Sequence, residues 1–535
     1  MTFSPNNHNQ QQIQNDQRKP HHLNKSLAVN MDYLKKRIGN STDVIFRSIK
    51  IGHKLALQLT IVYVEGIADD KKIDQYLIST IYNKRKFYDQ SILQDTLNKI
   101  KDEVSSMGSV KQSENWEDIL ASLMSGNTII FVDGIDQAII ANTAGGEKRS
   151  IEEPITQVSI RGARDGFIES IRTNTAMVRK RIQNPDLWLE TFKIGRTTKT
   201  DVAIMYIKGI AKDEIVEEVR RRLKRINIDS ILETGYIEQL IEDQTWTPFP
   251  TVYHAERPDV VAGNLLEGRV AIFVDGTPFV LLVPAVFIQF FQAVDDYYAR
   301  FDISSALRFL RVLVFLLSII VPAFYIAITT FHQEMIPTQL LIVLAAQREE
   351  VPFPVFVEAF LMEVAFEILR EAGIRLPRPV GQTVSVVGAL VIGQAAVQAG
   401  IVSPAIIIIV SITAIASFAT PSYSIAISAR LIRFIFMITA SSFGFYGIFL
   451  GMVILAAHLC SLRSFGIPYL EPLAPFVPKN AGDTLVRLPL WSLKERPRLI
   501  VGENNIRKGE HLRPGPPKTR SIRNDKTEGG RKDES

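Results

Sequence analysis

No residue set in this 535-residue chain has the spacing of a known catalytic machine. There is no phosphate-binding Gly-rich loop ending in Lys-Ser/Thr, no HExxH and no nucleophile elbow. The single cysteine, Cys460, excludes a zinc-type cluster and any intrachain disulfide. The side chains that could do chemistry are instead carboxylates set in an apolar segment. In FPVFVEAFLMEVAFEILREAGI, residues 353–374, Glu363, Glu367, Arg370 and Glu371 fall on one side of a helix at about 100° per residue. Glu358 lies apart from them. A carboxylate at or near bilayer depth is costly and turns toward water, a cavity or a partner helix. Two readings stay open on these residues alone. One is a water-lined acidic face that attracts cations through Glu358, Glu363 and Glu367. The other is an amphipathic helix lying flat with its acids in solvent. Gln394 and Gln398, one turn apart, either add to a polar path or bond between helices.

The elements that must position these side chains are strongly apolar. Residues 307–328 carry charge only at Arg308 and Arg311, and 384–402, 405–420 and 434–459 carry no Asp, Glu, Lys or Arg. About 20 such residues cross a bilayer as helix, and in lipid only helix satisfies the backbone of such a run. A membrane domain is therefore expected over 301–465, with spans near 307–329, 384–402, 405–425 and 434–459 and an amphipathic or re-entrant part at 338–374. The mean hydropathy of +0.10 averages this with a polar front half. The net charge of +5 collects in the tails and beside the spans, which suits a cytoplasmic leaflet better than nucleic acid. The first residues lack the apolar core of a signal peptide, so the soluble region is expected on the cytoplasmic side.

The topology does not close. A basic C-terminal segment on the cytoplasmic side needs an even number of crossings, but four leave Arg375, Arg378, Arg430 and Arg433 outside. A fifth crossing at 353–374 would move the tail out.

The soluble half repeats itself. TIVYVEGIA (60–68) recurs as AIMYIKGIA (203–211), with 143 residues from Tyr63 to Tyr206, and IIFVDGIDQAII recurs as AIFVDGTPFVLL, with 142 from Asp133 to Asp275. This predicts an α/β fold in two tandem copies, 43–150 and 187–300. Helices are expected at 71–86, 116–125 and 213–225, and a hairpin at each Asp-Gly. The aspartates are then turn residues. Between the copies, 151–186 is a charged linker helix, and Arg161, Arg164, Arg172 and Arg179 form either a solvated surface with weak local ion pairs or a contact to another subunit. Residues 1–42 and 503–535 read as disordered tails, and 466–502 as a cytoplasmic post-membrane segment.

Residues 351–421, FVDGTPF at 273–279, RGARDGFIESIRTN at 161–174 and FGIPYLEPLAP at 465–475 resemble the A-subunit family of GerA-type spore germinant receptors. The resemblance runs from about 43 to 498; Ala163 stands where the family more often has proline. It implies a multi-pass protein of the spore inner membrane that works with a transporter-like B subunit and a lipoprotein C subunit and senses small nutrients. It implies further a homo-oligomer that conducts cations, which favours the acidic-face reading of 353–374. No enzyme activity, cofactor or nucleic-acid partner is expected. The alternatives are an ion-coupled transporter and a non-conducting scaffold.

Overall fold

The computed structural model describes residues 22–51, 57–74, 101, 109–145, 153–154, 157, 159, 161–376, 388, 391–478, 482–509 and 513–515. Most of the predicted helix 71–86, the start of the predicted span 384–402, and Arg378 lie outside them.

An N-terminal α/β region is built on two antiparallel sheets. In the first, β1 (Val44–Ile51), β2 (Leu57–Val64), β3 (Val110–Ser113), β4 (Thr128–Val132) and β5 (Ala138–Ala141) are ordered β1-β2-β4-β5-β3. In the second, β6 (Leu187–Ile194), β7 (Thr200–Ile207), β8 (Tyr253–Ala255), β9 (Val270–Val274) and β10 (Val280–Val283) follow the same order, β6-β7-β9-β10-β8. Strands β4, β5, β9 and β10 are buried at every position because both faces of each sheet are covered. Val62, Ile129 and Phe131 face one core while Ile61, Ile130 and Val132 face the other, as the two-residue strand period requires.

Helices α1 (Leu27–Arg37), α2 (Trp116–Met124), α3 (Ile171–Arg181), α4 (Asp213–Arg225), α5 (Thr234–Ile241) and α6 (Pro258–Leu266) flank the sheets. Two expectations change here. Residues 27–37 are not tail: Leu27 and Leu34 are buried under the first sheet. Helix α3 is not a free linker either. Asp133 Oδ1 accepts from Leu27 N (3.0 Å) at the start of α1, and Asp275 Oδ1 accepts from Ile171 N (3.1 Å) at the start of α3. The hairpin aspartates thus hold the helix that precedes each sheet, using backbone donors that a helix N-terminus leaves unsatisfied.

The C-terminal half is helical: α7 (Phe301–Thr330), α8 (Thr338–Arg348), α9 (Val355–Arg375), a helical stretch over 391–398, α10 (Pro404–Phe418) and α11 (Tyr423–Ser461). Helices α7 and α11 are long and apolar enough to cross a membrane, and α10 is apolar but shorter. Helix α11 is not the one span expected at 434–459. Ser428 Oγ donates to Pro248 O, and His458 Nε2 lies 2.9 Å from Thr247 Oγ1. Straight helix would separate Ser428 and His458 by about 45 Å. The chain reverses at Gly444 (φ 61°, ψ −140°), a backbone conformation that glycine alone tolerates well. A Cβ at Gly444 would sit 2.8 Å from His332 Cε1, so the reversal packs beside the far end of α7. Replacing Gly444 with valine should cost about 1–3 kcal/mol or more, read as a lower melting temperature of the purified protein. An unchanged melt would show that the reversal does not need glycine.

Beyond α11 the chain returns to the second sheet. Phe287 N donates to Tyr469 O (2.7 Å), Gly502 N to Ile210 O (2.8 Å) and Asn504 N to Gly209 O (3.1 Å). The segment after α11 is thus built into the α/β region as far as Arg507, whose guanidinium contacts Glu267, so residues 503–507 are not tail.

Candidate functional site: the acidic helix and the base of the helical half

Helix α9 begins at Val355, directly after Pro354, whose fixed φ suits a helix start. Its charged face is as the periodicity predicts, but what meets that face is arginine. Glu363 is 0% exposed; its Oε2 accepts from Arg433 Nη1 (2.6 Å) and its Oε1 from Thr413 Oγ1 (3.2 Å). Arg433, 1% exposed, also donates through Nε to Ser318 O on α7 (2.7 Å). One ion pair therefore ties α7, α9, α10 and α11 together. One turn on, Glu367 accepts from Arg430 (2.8 Å) and Arg370 (3.1 Å), and Arg370 also donates to Ser417 Oγ (2.8 Å). Glu358 accepts from Arg348 Nε (3.3 Å) and from Ser403 N (3.0 Å) and is buried.

This corrects the expectation for Glu358 and Glu363. Neither faces water, because each is closed off by an arginine and by helix α10. The flat-helix reading does not fit Glu358 and Glu363, which α9 packs inward, whereas Glu371 near its end is exposed and paired with Arg375 (2.6 Å). Glu367 is the partly exposed member. Gln394 and Gln398 lie elsewhere: both are exposed on the helical stretch 391–398.

The four arginines before and within α3 also separate. Arg161 and Arg164 are exposed, the latter paired with Glu153 (3.2 Å). Arg172 meets Glu65 and Asp70 across the two sheets. Arg179 is 1% exposed and clamps Asp43 (2.7 and 3.0 Å) and Ser41 (3.0 Å). As a contact to another subunit Arg179 is ruled out by its burial; it joins the second sheet's helix to the start of the first sheet.

Sequence reasoning missed a second cluster where the α/β region meets α7. Asp296, 1% exposed, accepts from Arg308 Nε (3.0 Å) and Arg311 Nη1 (2.8 Å). Arg308 also donates to Asp483 Oδ1 (2.9 Å) and Thr484 O (3.1 Å). Tyr297 OH donates to Asp483 Oδ2 (3.0 Å), and burial with the Asp483 charge pushes the Tyr297 phenol well above its ordinary range. Asp483 lies 175 residues after Arg308, a pairing that no local pattern announces. The one available signal was two arginines opening the otherwise uncharged run 307–328.

Among the described residues no group of His, Cys, Asp and Glu is arranged to hold a metal ion.

The architecture defines a protein with an N-terminal α/β region of antiparallel sheets followed by a helical half with membrane-capable helices. The chain matches the Bacillus/Clostridium GerA spore germination protein family over residues 32–499. It is 56% identical over 517 residues to spore germination protein KA of Bacillus subtilis (strain 168), covering 97% of this chain and 94% of that one. It is 40% identical to spore germination protein B1 of the same organism, covering 91% and 99%. A crystal structure of the N-terminal domain of the A subunit of the Bacillus megaterium spore germinant receptor GerK3 aligns with 51% identity, 51% of this chain, 100% of that one and a TM-score of 0.40. This chain belongs to the GerA family of spore germination proteins.

Proposed function

We propose that this chain is the A-type membrane subunit of a nutrient germinant receptor and forms, as a homo-oligomer, its cation-conducting element. A transporter-like B subunit and a lipoprotein C subunit complete the receptor in the spore inner membrane. Nutrient binding in the B subunit biases a closed/open equilibrium of this chain, which requires that binding energy differ between the two states.

The observation that carries the reading is the exposure of Gln394 and Gln398. On a helix at bilayer depth, two uncovered amides on one face need water or a neighbouring copy. The acids take a different part from the one their sequence suggested. Glu358 and Glu363 brace the bundle, while Glu367 and the two glutamines border the path.

Six crossings fit the contacts: α7, α9, the stretch that includes 391–398, α10 and the two limbs of α11. Gly388 sits by Leu369 and Gly400 by Glu350, so 391–398 runs antiparallel to α9. Both the α/β region and the C-terminal segment then lie on the cytoplasmic side, with Arg375 and Arg430 near it, and the charge bias that four or five spans violate is met. The matched sheet orders and matched aspartate contacts support two tandem copies of one unit, each with its leading helix, α1 or α3.

Changing Gln394 and Gln398 together to leucine is expected to slow cation release from germinating spores at least tenfold at normal receptor level. Unchanged release would remove these residues from the path. The non-conducting scaffold draws support from the inward pairing of Glu358 and Glu363. Liposomes holding this chain alone separate the two: conductance supports the channel, and its absence with a correctly assembled oligomer supports the scaffold.

A further inference from the structure

A cavity of ≈ 690 Å³ opens where helix α6, the 293–298 segment, the turn between α10 and α11, and the C-terminal segment meet. Its size is that of a small-molecule site, roughly 300–1,000 Å³. It is distinct from the acidic helix and from the Asp296 cluster's buried core.

Three features of its wall point to one kind of ligand. The first is charge. Four arginines line it against three carboxylates. Arg257 is matched by Asp259 (2.6 Å), and Arg269 and Arg507 both meet Glu267. Arg496 is met instead by the carbonyls of Leu266 (2.8 Å), Asn504 (3.1 Å) and Ile506 (2.6 Å) and by Asn504 Oδ1 (3.2 Å). Burial, with Arg507 nearby, depresses the Arg496 pKa, as expected of a cation whose surroundings do not fully answer it.

The second is Gln289, 5% exposed, whose Oε1 has no hydrogen-bond partner among the described residues. Its orientation is fixed. Nε2 donates to Asn264 Oδ1 (3.0 Å), an oxygen that also accepts from Arg269 (2.9 Å), so the amide cannot be turned round. A buried acceptor left unmade costs about 1–3 kcal/mol, and a ligand donor would recover it. The third is Gly263, in the middle of α6 and on the cavity wall, where an added Cβ would meet no atom within 4 Å. Glycine inside a helix is less stable than alanine by roughly 0.5–1 kcal/mol. Sterics do not require glycine here, yet its lack of a side chain keeps the cavity open.

We propose that this cavity binds a small anionic polyol, its acid group on Arg496 and a hydroxyl donating to Gln289 Oε1. The amide and hydroxyl groups of Gln157, Ser159 and Gln292 on the same wall suit the remaining hydroxyls. A glycerol phosphate is the simplest such group. It could arrive as a soluble molecule or as the headgroup of an anionic lipid, since Phe418 and Pro421 place the turn of the apolar helices in the wall. The site does not depend on conduction.

The test uses the full chain in phosphatidylcholine nanodiscs. Saturable binding of sn-glycerol 3-phosphate with a rise in melting temperature assigns a soluble ligand. A rise only when phosphatidylglycerol replaces part of the lipid assigns a headgroup. In either arm Arg496→Gln should weaken binding at least tenfold. Gly263→Leu should abolish it with a ligand-free melting temperature equal to or above wild type, because its side chain enters open space and a helix-interior glycine is removed. If neither probe shifts wild-type melting, or if the shift is the same in wild type and Gly263→Leu, the proposal is overturned.

Discussion

Replacing Arg433 with glutamine is expected to lower the stability of the helical half by about 3–5 kcal/mol, because it leaves the Glu363 carboxylate buried without a counter-charge. Four helices meet at that pair. Glu363 draws on Arg433 from α11 and Thr413 from α10, and the same guanidinium reaches Ser318 O on α7. Glu363 is 0% exposed, so water does not take the guanidinium's place without a rearrangement. The measurable outcome is loss of the folded protein from membranes and an early melt of what remains. The double variant Glu363→Gln with Arg433→Gln should recover most of the loss, since an uncharged pair has no desolvation penalty of that size to meet. Two outcomes would refute this: a single variant that melts like wild type, or a double variant as unstable as the single one. The pair joins α9 to α7 and α11, so withdrawing α9 from the other helices would have to break it.

The second large effect is expected at Asp296. Asparagine there keeps the shape and removes the charge that answers Arg308 and Arg311, two guanidiniums converging on one carboxylate. Arg308 keeps Asp483 (2.9 Å), but Arg311 is left with neutral acceptors, the amide oxygen and the Phe291 carbonyl (3.2 Å). Removing one partner of a buried ion pair costs about 3–5 kcal/mol. The loss should fall on the joint rather than on either side of it. Protease should then cut near residue 300 faster than in wild type, while the isolated fragments retain their helix and strand content. Asp296→Glu should show a smaller effect, because the charge returns at the wrong distance. If cleavage near 300 does not accelerate, the cluster is not what couples the α/β region to α7. This joint is the shortest covalent route from the soluble sheets to the first apolar helix, and Asp483 adds the C-terminal segment to it. A second joint to the helices is formed by the contacts of Pro248 and Thr247 with Ser428 and His458 of α11.

Local patterning carried much of the fold. Alternation and β-branching marked the strands, Asp-Gly marked both hairpins, and the 3.6-residue period set α4 at 213–225, as found. The charged face of α9 was also visible in that period. What faced it was not, because a helical wheel shows which side is polar but not whether water or an arginine 70 residues away lies opposite. Arg179 was misread for the same reason: a solvated arginine and one locked to Asp43 across 136 residues have identical local sequence. The ordered helix at 27–37 was missed because a short amphipathic helix in a polar, Asn- and Gln-rich context has little periodic signal, and its stability comes from the sheet beneath it.

The sequence by itself determined the division into an N-terminal α/β region and an apolar helical half, and through its long motifs the family, since hydrophobic period and turn chemistry act over a few residues. Tertiary structure alone decided that α11 doubles back at Gly444, that residues 502–504 return to the second half of the α/β region, and that Glu358 and Glu363 are bolted to arginines. Each of these joins residues far apart in the chain. The desolvation cost of a buried charge depends on what packs beside it, which no window of local sequence contains.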